Sequence, residues 1–217
     1  MNLESSGILI SLRPLGETDS VARVFTSEYG VLCGMMRGAQ RARKNRPLVG
    51  QVGTASWNAR LDSQLGVFHW DAEKNLAATL ILSRDALMFM NSAFALISTL
   101  LPEREQYKNL YQKTVALLQE LSGNNAHDAY LDWEIMLLRE LGYALNLGTC
   151  SGCGTHDDLE FLSPRTGRAV CKNCGAPYAT KLYRLPLTLD VTGRFIARAC
   201  VSQGIELPLG RKVLNLL

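Results

Sequence analysis

Four of the six cysteines fall in one short stretch, Cys150-x-x-Cys153, then seventeen residues, then Cys171-x-x-Cys174. Two thiolates three residues apart on a tight turn can bind one metal ion, and two such turns complete a tetrahedron. That donor set suits Zn²⁺, and four thiolates leave no open position for a catalytic water. The cysteines are therefore expected to hold one structural Zn²⁺ per chain. Gly152 and Gly154 in the first turn, and Asn173 and Gly175 in the second, are expected to supply the flexible backbone the turns need. The intervening "LEFLSPRTGRAV" reads as a hairpin that reverses at Pro164–Gly167. The competing reading is a pair of redox Cys-x-x-Cys motifs. Such a motif opens a helix after a strand, and neither pair is expected to do so. His156 lies near the first pair, but four cysteines need no fifth partner. Cys33 and Cys200 read as small buried apolar residues. The finger holds its own loop together and names no reaction.

A second group of residues could bind polyanions. "RGAQRARKNRP" places Arg37, Arg41, Arg43, Lys44 and Arg46 together with no acid among them. Such a loop can lie along a phosphate backbone, and each arginine can make bidentate phosphate contacts. Gly38 and Ala39 are expected to keep the segment mobile and Pro47 to stop it. The bland alternative is a solvated loop that serves solubility. Trp57, Phe68, Trp70 and Tyr29 could stack on bases. In so small a β region the same aromatics are as readily explained as core.

These groups need a scaffold, and the text on either side supplies it. Of the 217 residues, 47% are hydrophobic and 20% charged, a globular composition with material for a real core. The net charge of +3 conceals an acidic middle and two basic flanks. "GILISLR", "VARVFTS", "VLCGMMRG", "VGTASWNARL" and "GVFHWDA" read as five short strands separated by turn signals. They suggest a small barrel of the OB type over 1–75. From Leu76 the text turns helical. One helix runs to Leu101, with Leu80, Arg84, Leu87, Met88 and Asn91 on neighbouring turns, and Pro102 ends it. A second has Leu110, Val115, Leu117, Leu118 and Leu121 as its apolar face and Gly123 as its stop. A third has Asp128 as its cap, Trp133, Met136, Leu137, Glu140 and Leu141 at helical spacing, and Gly142 as its end. Helical text returns over 187–204. The fold class is therefore α+β and multidomain. An N-terminal OB-fold β-barrel (1–75) precedes an α-helical domain (76–217), into which a four-cysteine zinc finger (148–178) is inserted. Ala86–Leu101 is uncharged but shorter than the roughly 20 residues that span a bilayer, so it reads as a buried helix. The first residues carry no secretory signature, and the cysteine usage fits the cytoplasm.

None of the phosphate-loop, dinucleotide-binding, nucleophile-elbow or metalloprotease motifs occurs, so no enzymatic activity is expected. The order of the remaining motifs resembles one family. "RPLGETDSVARVFTSEYGVLCGMMRGAQRARK", "WEIMLLRELGYALNLGTCSGCG" and "FLSPRTGRAVCKNCG" are similar, in sequence and in spacing, to the bacterial DNA repair family RecO, over nearly the whole chain. The resemblance implies a non-catalytic recombination mediator associated with the nucleoid. Such a protein binds single- and double-stranded DNA, anneals complementary strands, and engages the acidic C-terminal tail of single-strand-binding protein. With RecR it helps load RecA. A groove for that tail would need a basic rim, for which Arg104, Lys108 and Arg139 are candidates. Arg37 stands where the family often has Lys, and the chain ends at "LPLGRKVLNLL" where members usually continue into a further helix. The alternative is a zinc-finger protein-interaction adaptor whose DNA contact is incidental.

Overall fold

Side chains of Gln51–Asn58 alternate between buried and half-buried, the period of a strand with one face in a core. The computed structural model, which describes residues 1–42, 46–59 and 65–216, places five such strands in one sheet. They are β1 (Asn2–Leu15), β2 (Asp19–Thr26), β3 (Gly30–Met36), β4 (Gln51–Asn58) and β5 (Gly66–Asn75). The sheet closes into a barrel of order β1-β2-β3-β5-β4. Every pairing is antiparallel except β3 with β5, which is parallel and joins only Gly34–Gly66, Met35–Val67 and Met36–Phe68. This is the five-stranded arrangement expected of an OB fold.

Leu9, Ala22, Val24, Leu32, Met36, Ala55, Trp57 and Phe68 fill the barrel. Trp57 sits at its centre, 1% exposed, and its indole N–H donates to the Cys33 carbonyl at 2.9 Å. The ring lies directly on Gly66, where a Cβ atom would run into the indole. Only glycine permits that approach, so the residue opening β5 is fixed by the largest side chain in the core.

After β5 the chain makes two short 3₁₀ turns, Leu76–Ala78 and Leu80–Leu82. Helices α1 (Arg84–Leu100), α2 (Lys108–Glu120) and α3 (Ala126–Glu140) follow. Ser83 caps α1 by accepting the Ala86 N–H. The uncharged stretch is a buried helix as expected, and no helix among the described residues is long and apolar enough to cross a membrane. Its buried face, however, runs through Ala86, Phe89, Met90, Ala93, Phe94, Leu96, Ile97 and Leu100. Arg84, Leu87, Met88 and Asn91 lie off it. In α2 the expected face is buried at Leu110, Leu117, Leu118 and the adjoining Leu121, where Tyr111 and Thr114 join it and Val115 is only half-buried, the Thr114 hydroxyl donating to the Leu110 carbonyl at 2.7 Å. In α3 Ala129, Tyr130, Trp133, Glu134, Leu137 and Leu138 are buried, whereas Met136, Glu140 and the following Leu141 are only half-buried. Asp128 lies in the first turn of α3, not at its cap. There it still opposes the positive end of the helix dipole. Gly142 ends α3 as expected: its N–H donates to Arg139 and that of Tyr143 to Leu138.

The chain divides into two compact units: 1–130 with 208–211, and 131–207 with 212–217. The strand-to-helix change at Asn75 is thus not where the contacts divide, because the first two helices belong with the barrel. In that first unit Arg23 donates to the Ser98 carbonyl and pairs with Glu103 at 3.5 Å, and Phe25 meets Tyr111 edge-on. In the second unit α5 (Leu189–Ser202) buries Val191, Phe195, Ile196, Ala199 and Cys200. The Thr192 hydroxyl of α5 donates to the fully buried Glu134 carboxylate at 2.5 Å.

Replacing Gly66 with Ala should overpack the barrel and destabilise the fold by roughly 1–3 kcal/mol. Chemical denaturation followed by tryptophan emission checks this. A wild-type midpoint would show that Trp57 is not seated on the β5 backbone.

Candidate metal centre and nucleic-acid interface

The finger is built on a three-stranded sheet of order β7-β6-β8. β6 (Leu159–Leu162) and β7 (Ala169–Cys171) form the expected hairpin, and β8 (Tyr183–Arg184) adds an edge that lies beyond the expected finger boundary at 178. The turn between β6 and β7 is closed by the Ser163 N–H to the Arg168 carbonyl and the Gly167 N–H to the Ser163 carbonyl, both at 2.9 Å. The Ser151 N–H donates to the Ala169 carbonyl and ties the first cysteine loop to the hairpin, while the Cys150 N–H donates to the Thr155 carbonyl and closes the loop on itself.

This frame brings Cys150, Cys153, Cys171 and Cys174 together, with all four sulfurs within 4.8 Å of one another. Cys150 and Cys171 are buried, while Cys153 is exposed. The backbone N–H groups of Cys171, Cys153 and Gly152 surround the Cys150 sulfur and lower its pKa to about 6. Cys150 therefore offers a thiolate at neutral pH, the form a metal takes up. Hydrogen bonding with the Cys171 and Cys153 thiols pushes Cys174 up to about 12. Four soft donors converging at this distance fit one metal ion bound tetrahedrally. His156 is occupied elsewhere, its Nδ1 2.8 Å from the Gly148 carbonyl oxygen.

Two expectations about the finger need correction. The second cysteine pair does open a helix after a strand, since Cys171 ends β7 and caps α4 (Lys172–Gly175). That helix is a single turn, and both of its cysteines face the first pair rather than standing alone as a redox couple. Gly175 is not needed for backbone freedom, because it sits at φ −85°. Its missing side chain leaves room for the Phe161 ring, into which a Cβ atom would run. Of the remaining cysteines, Cys200 is buried as expected, whereas Cys33 is only part-buried.

The basic segment leaves β3 directly. Arg37, Arg41 and Arg46 are exposed, while Arg43 and Lys44 lie outside the described residues. The expected mobility of Gly38 and Ala39 is not found. Ala39 is 4% exposed and packs with the barrel core. Gly38 takes a left-handed turn at φ 65°, its N–H donating to Asp19 Oδ1 at 2.8 Å. The Gln40 N–H donates to the Thr18 carbonyl at 2.9 Å, and its side-chain amide to the Asp19 carbonyl. At the far end the Gln51 side chain accepts the Leu48 N–H and the Trp70 indole N–H, and its amide reaches the Arg46 carbonyl. The arm is thus held at both ends by polar side chains of β2 and β4.

Asp19 is the anchor that motif reasoning passed over, although it stands in the "GETDS" stretch. The Gly38 N–H, the Thr18 hydroxyl and the charges of Arg37 and Arg41 all hold its carboxyl below the usual carboxylate range. Trp57 and Phe68 are core, which removes them as stacking groups, and Arg104 lies over the Trp57 ring at 4.9 Å. Tyr29 and Trp70 are only part-buried against that core. Of the expected groove residues, Arg104 precedes α2 with φ 65°, Lys108 opens α2, and Arg139 is in the last turn of α3. The first two belong to the first unit and Arg139 to the second.

The closed barrel of OB order, with a basic segment anchored where it leaves β3 and where it enters β4, and a separate four-thiol finger, defines a class of OB-barrel proteins that also carry a metal-type finger. A family model described as the N-terminal part of recombination protein O matches residues 1–69, and the corresponding C-terminal model matches 82–209. The DNA repair protein RecO of Jannaschia sp. (strain CCS1) is 37% identical over 214 residues, covering 91% of this chain and 87% of that protein. The one from Dinoroseobacter shibae is 40% identical over 183 residues, 83% of this chain and 76% of that protein. A third, from Rhodospirillum centenum, is 38% identical over 190 residues, 86% and 76% respectively. The chain belongs to the RecO family.

Since the Asp19 pKa is lowered on folding, its hold on the arm is complete above the ordinary carboxylate range. That hold is lost only as pH falls through the lowered value, below 3.8. The arm should therefore stay pinned across neutral pH, and Asp19→Ala should release it there. Limited trypsin digestion read by mass spectrometry should show cleavage after Arg37 and Arg41 rising several-fold in the variant. Equal cleavage in both proteins would show that Asp19 does not order the arm.

Proposed function

We propose that this chain is a non-catalytic DNA-binding mediator of recombination and DNA repair, acting in the cytoplasm at the nucleoid. The observation that carries the reading is the arm: exposed arginines on a backbone fixed at the mouth of an OB barrel, in a chain of the RecO family. Arg37, Arg41, Arg43, Lys44 and Arg46 grip phosphates on single- or double-stranded DNA and release counterions. Annealing follows from that grip, because neutralising two strands lets them approach and pair. The remaining partners come with the family reading. They are the acidic tail of single-strand-binding protein, for which Arg104 and Lys108 of the first unit, or Arg139 of the second, are candidate basic contacts, then RecR, and through it RecA.

The four cysteines hold a structural Zn²⁺. The donor set supports zinc over harder ions, and a closed four-thiolate sphere supplies folding energy rather than chemistry. We read the finger as its own span, 148–178, inserted in the helical text of 76–217 that follows the barrel strands of 1–75 in sequence.

The reading is tested by DNA affinity across a salt series. Five phosphate contacts on a single strand give a slope of log K against log salt near about −3.5. The triple variant Arg41→Ala, Arg43→Ala, Lys44→Ala should make it shallower by roughly two units. An unchanged slope refutes the arm as the DNA contact. A pull-down with an acidic tail peptide, with and without these substitutions, separates the mediator from an adaptor whose DNA contact is incidental. For the finger, metal analysis should give about one zinc per chain. Cys150→Ser should lose that zinc and lower the unfolding midpoint, with DNA affinity at low salt changed far less. A Cys150→Ser protein that folds normally yet fails to bind DNA would place the DNA contact on the finger.

A further inference from the structure

A concavity of about 180 Å³ opens beside the arm. Its apolar lining comes from Met36 at the end of β3, from Ala39 and Pro47 of the arm, and from Phe68 of β5. Trp70 and His69 of β5 form a further wall, and Arg37 stands at the rim. Of the chain's three tryptophans, Trp57 and Trp133 are essentially inaccessible at 1% and 0% exposure, while Trp70 is part-exposed. The Trp70 ring is also oriented, because its N–H is committed to Gln51 Oε1 at 3.2 Å. Both walls are therefore preset, one through Asp19 and Gly38, the other through Gln51, Trp70 and Leu48.

We infer that this pocket seats one unpaired base of a single strand, stacked against Trp70, with the flanking phosphate on Arg37. This rests on the DNA-binding reading and sharpens it. A small recess with a mixed polar and apolar lining, an oriented indole and an adjacent guanidinium matches a flat ring carrying a negative charge a short distance away. A nucleotide has that form, and every base offers a π face, so the contact tolerates sequence. An acidic peptide ending in an aromatic residue has related chemistry. The strand is favoured because the exposed Arg37 and Arg41 continue along the arm beside the pocket, as a repeating phosphate backbone requires.

The pocket makes a demand that the arm alone does not: DNA with bases must bind better than DNA without them. The test compares oligothymidylate with an abasic oligomer of the same length and phosphate count, following tryptophan emission. Stacking is worth about 1–3 kcal/mol per base, so the wild type should bind the base-bearing strand from roughly fivefold to over a hundredfold more tightly. Trp70 emission should be quenched by that strand only, and the salt slope should be the same for both. Trp70→Phe should keep the preference and Trp70→Leu should lose it. If Trp70→Leu does not fold, the wild-type comparison decides alone. Equal affinity and equal quenching for the two oligomers, with the salt slope intact, would overturn the pocket and leave the arm reading standing. Failure of both to bind would overturn the arm reading itself. Quenching of Trp70 by an acidic, aromatic-ended peptide and not by oligothymidylate would reassign the pocket to a protein partner.

Discussion

The strand order places β5 between β3 and β4, and the site depends on that constraint. A connection between consecutive strands that are not neighbours has to pass the strand that separates them. Residues 37–50 make this passage at the end of the barrel where β3 finishes and β4 begins. The parallel contact of β3 with β5 ends at Met36 and Phe68. Arg37 therefore emerges beside His69 and Trp70. Arg37, Arg41 and Arg46 lie on this connection because the chain has to cross there, and the aromatic wall is beside Arg37 for the same reason.

A crossing loop with so many positive charges should repel itself and wander. It is restrained by acceptors and donors from strands already fixed in the barrel. Asp19 belongs to β2 and Gln51 to β4, and each contacts the loop near its point of entry or exit. The finger solves the same problem differently. Its sheet is too small to bury a core of its own, so four sulfurs drawn within 4.8 Å provide a point where one metal can replace the missing apolar burial.

Much of this was legible in the sequence, where the relevant signal is local. Five strands, three helices, the hairpin between the cysteine pairs and the metal-ligand spacing all follow from period, turn residues and thiol positions along a few neighbouring residues. The parts that were not legible depend on partners far away in the chain. Gly38 and Ala39 look like a flexible dipeptide until Asp19 and the barrel core are in place. Glu134 reads as one more charged helix position until Thr192 meets it in the core. The buried face of α1 could not be singled out because most residues from Ala86 to Leu101 are apolar, so periodicity had little contrast to work with. Gly175 illustrates the opposite error: its position suggested a turn, but its role is to make room for Phe161.

The arrangement also bears on what kind of DNA partner suits it. As the proposed DNA contact, an arm of arginines would contribute affinity that depends on salt and ignores sequence. A one-ring recess beside it would add a term that ignores salt and still tolerates any base, but requires that base to be unpaired. Together the two terms would distinguish single from double strands without distinguishing one sequence from another. They would also leave most bases of the strand uncovered, since a recess of this size would admit a single ring. A strand held in this way would keep its pairing edges available to a complement. The arm would meanwhile reduce the repulsion that keeps the complement away. A protein that covered every base would bind single strands more tightly and anneal them less well.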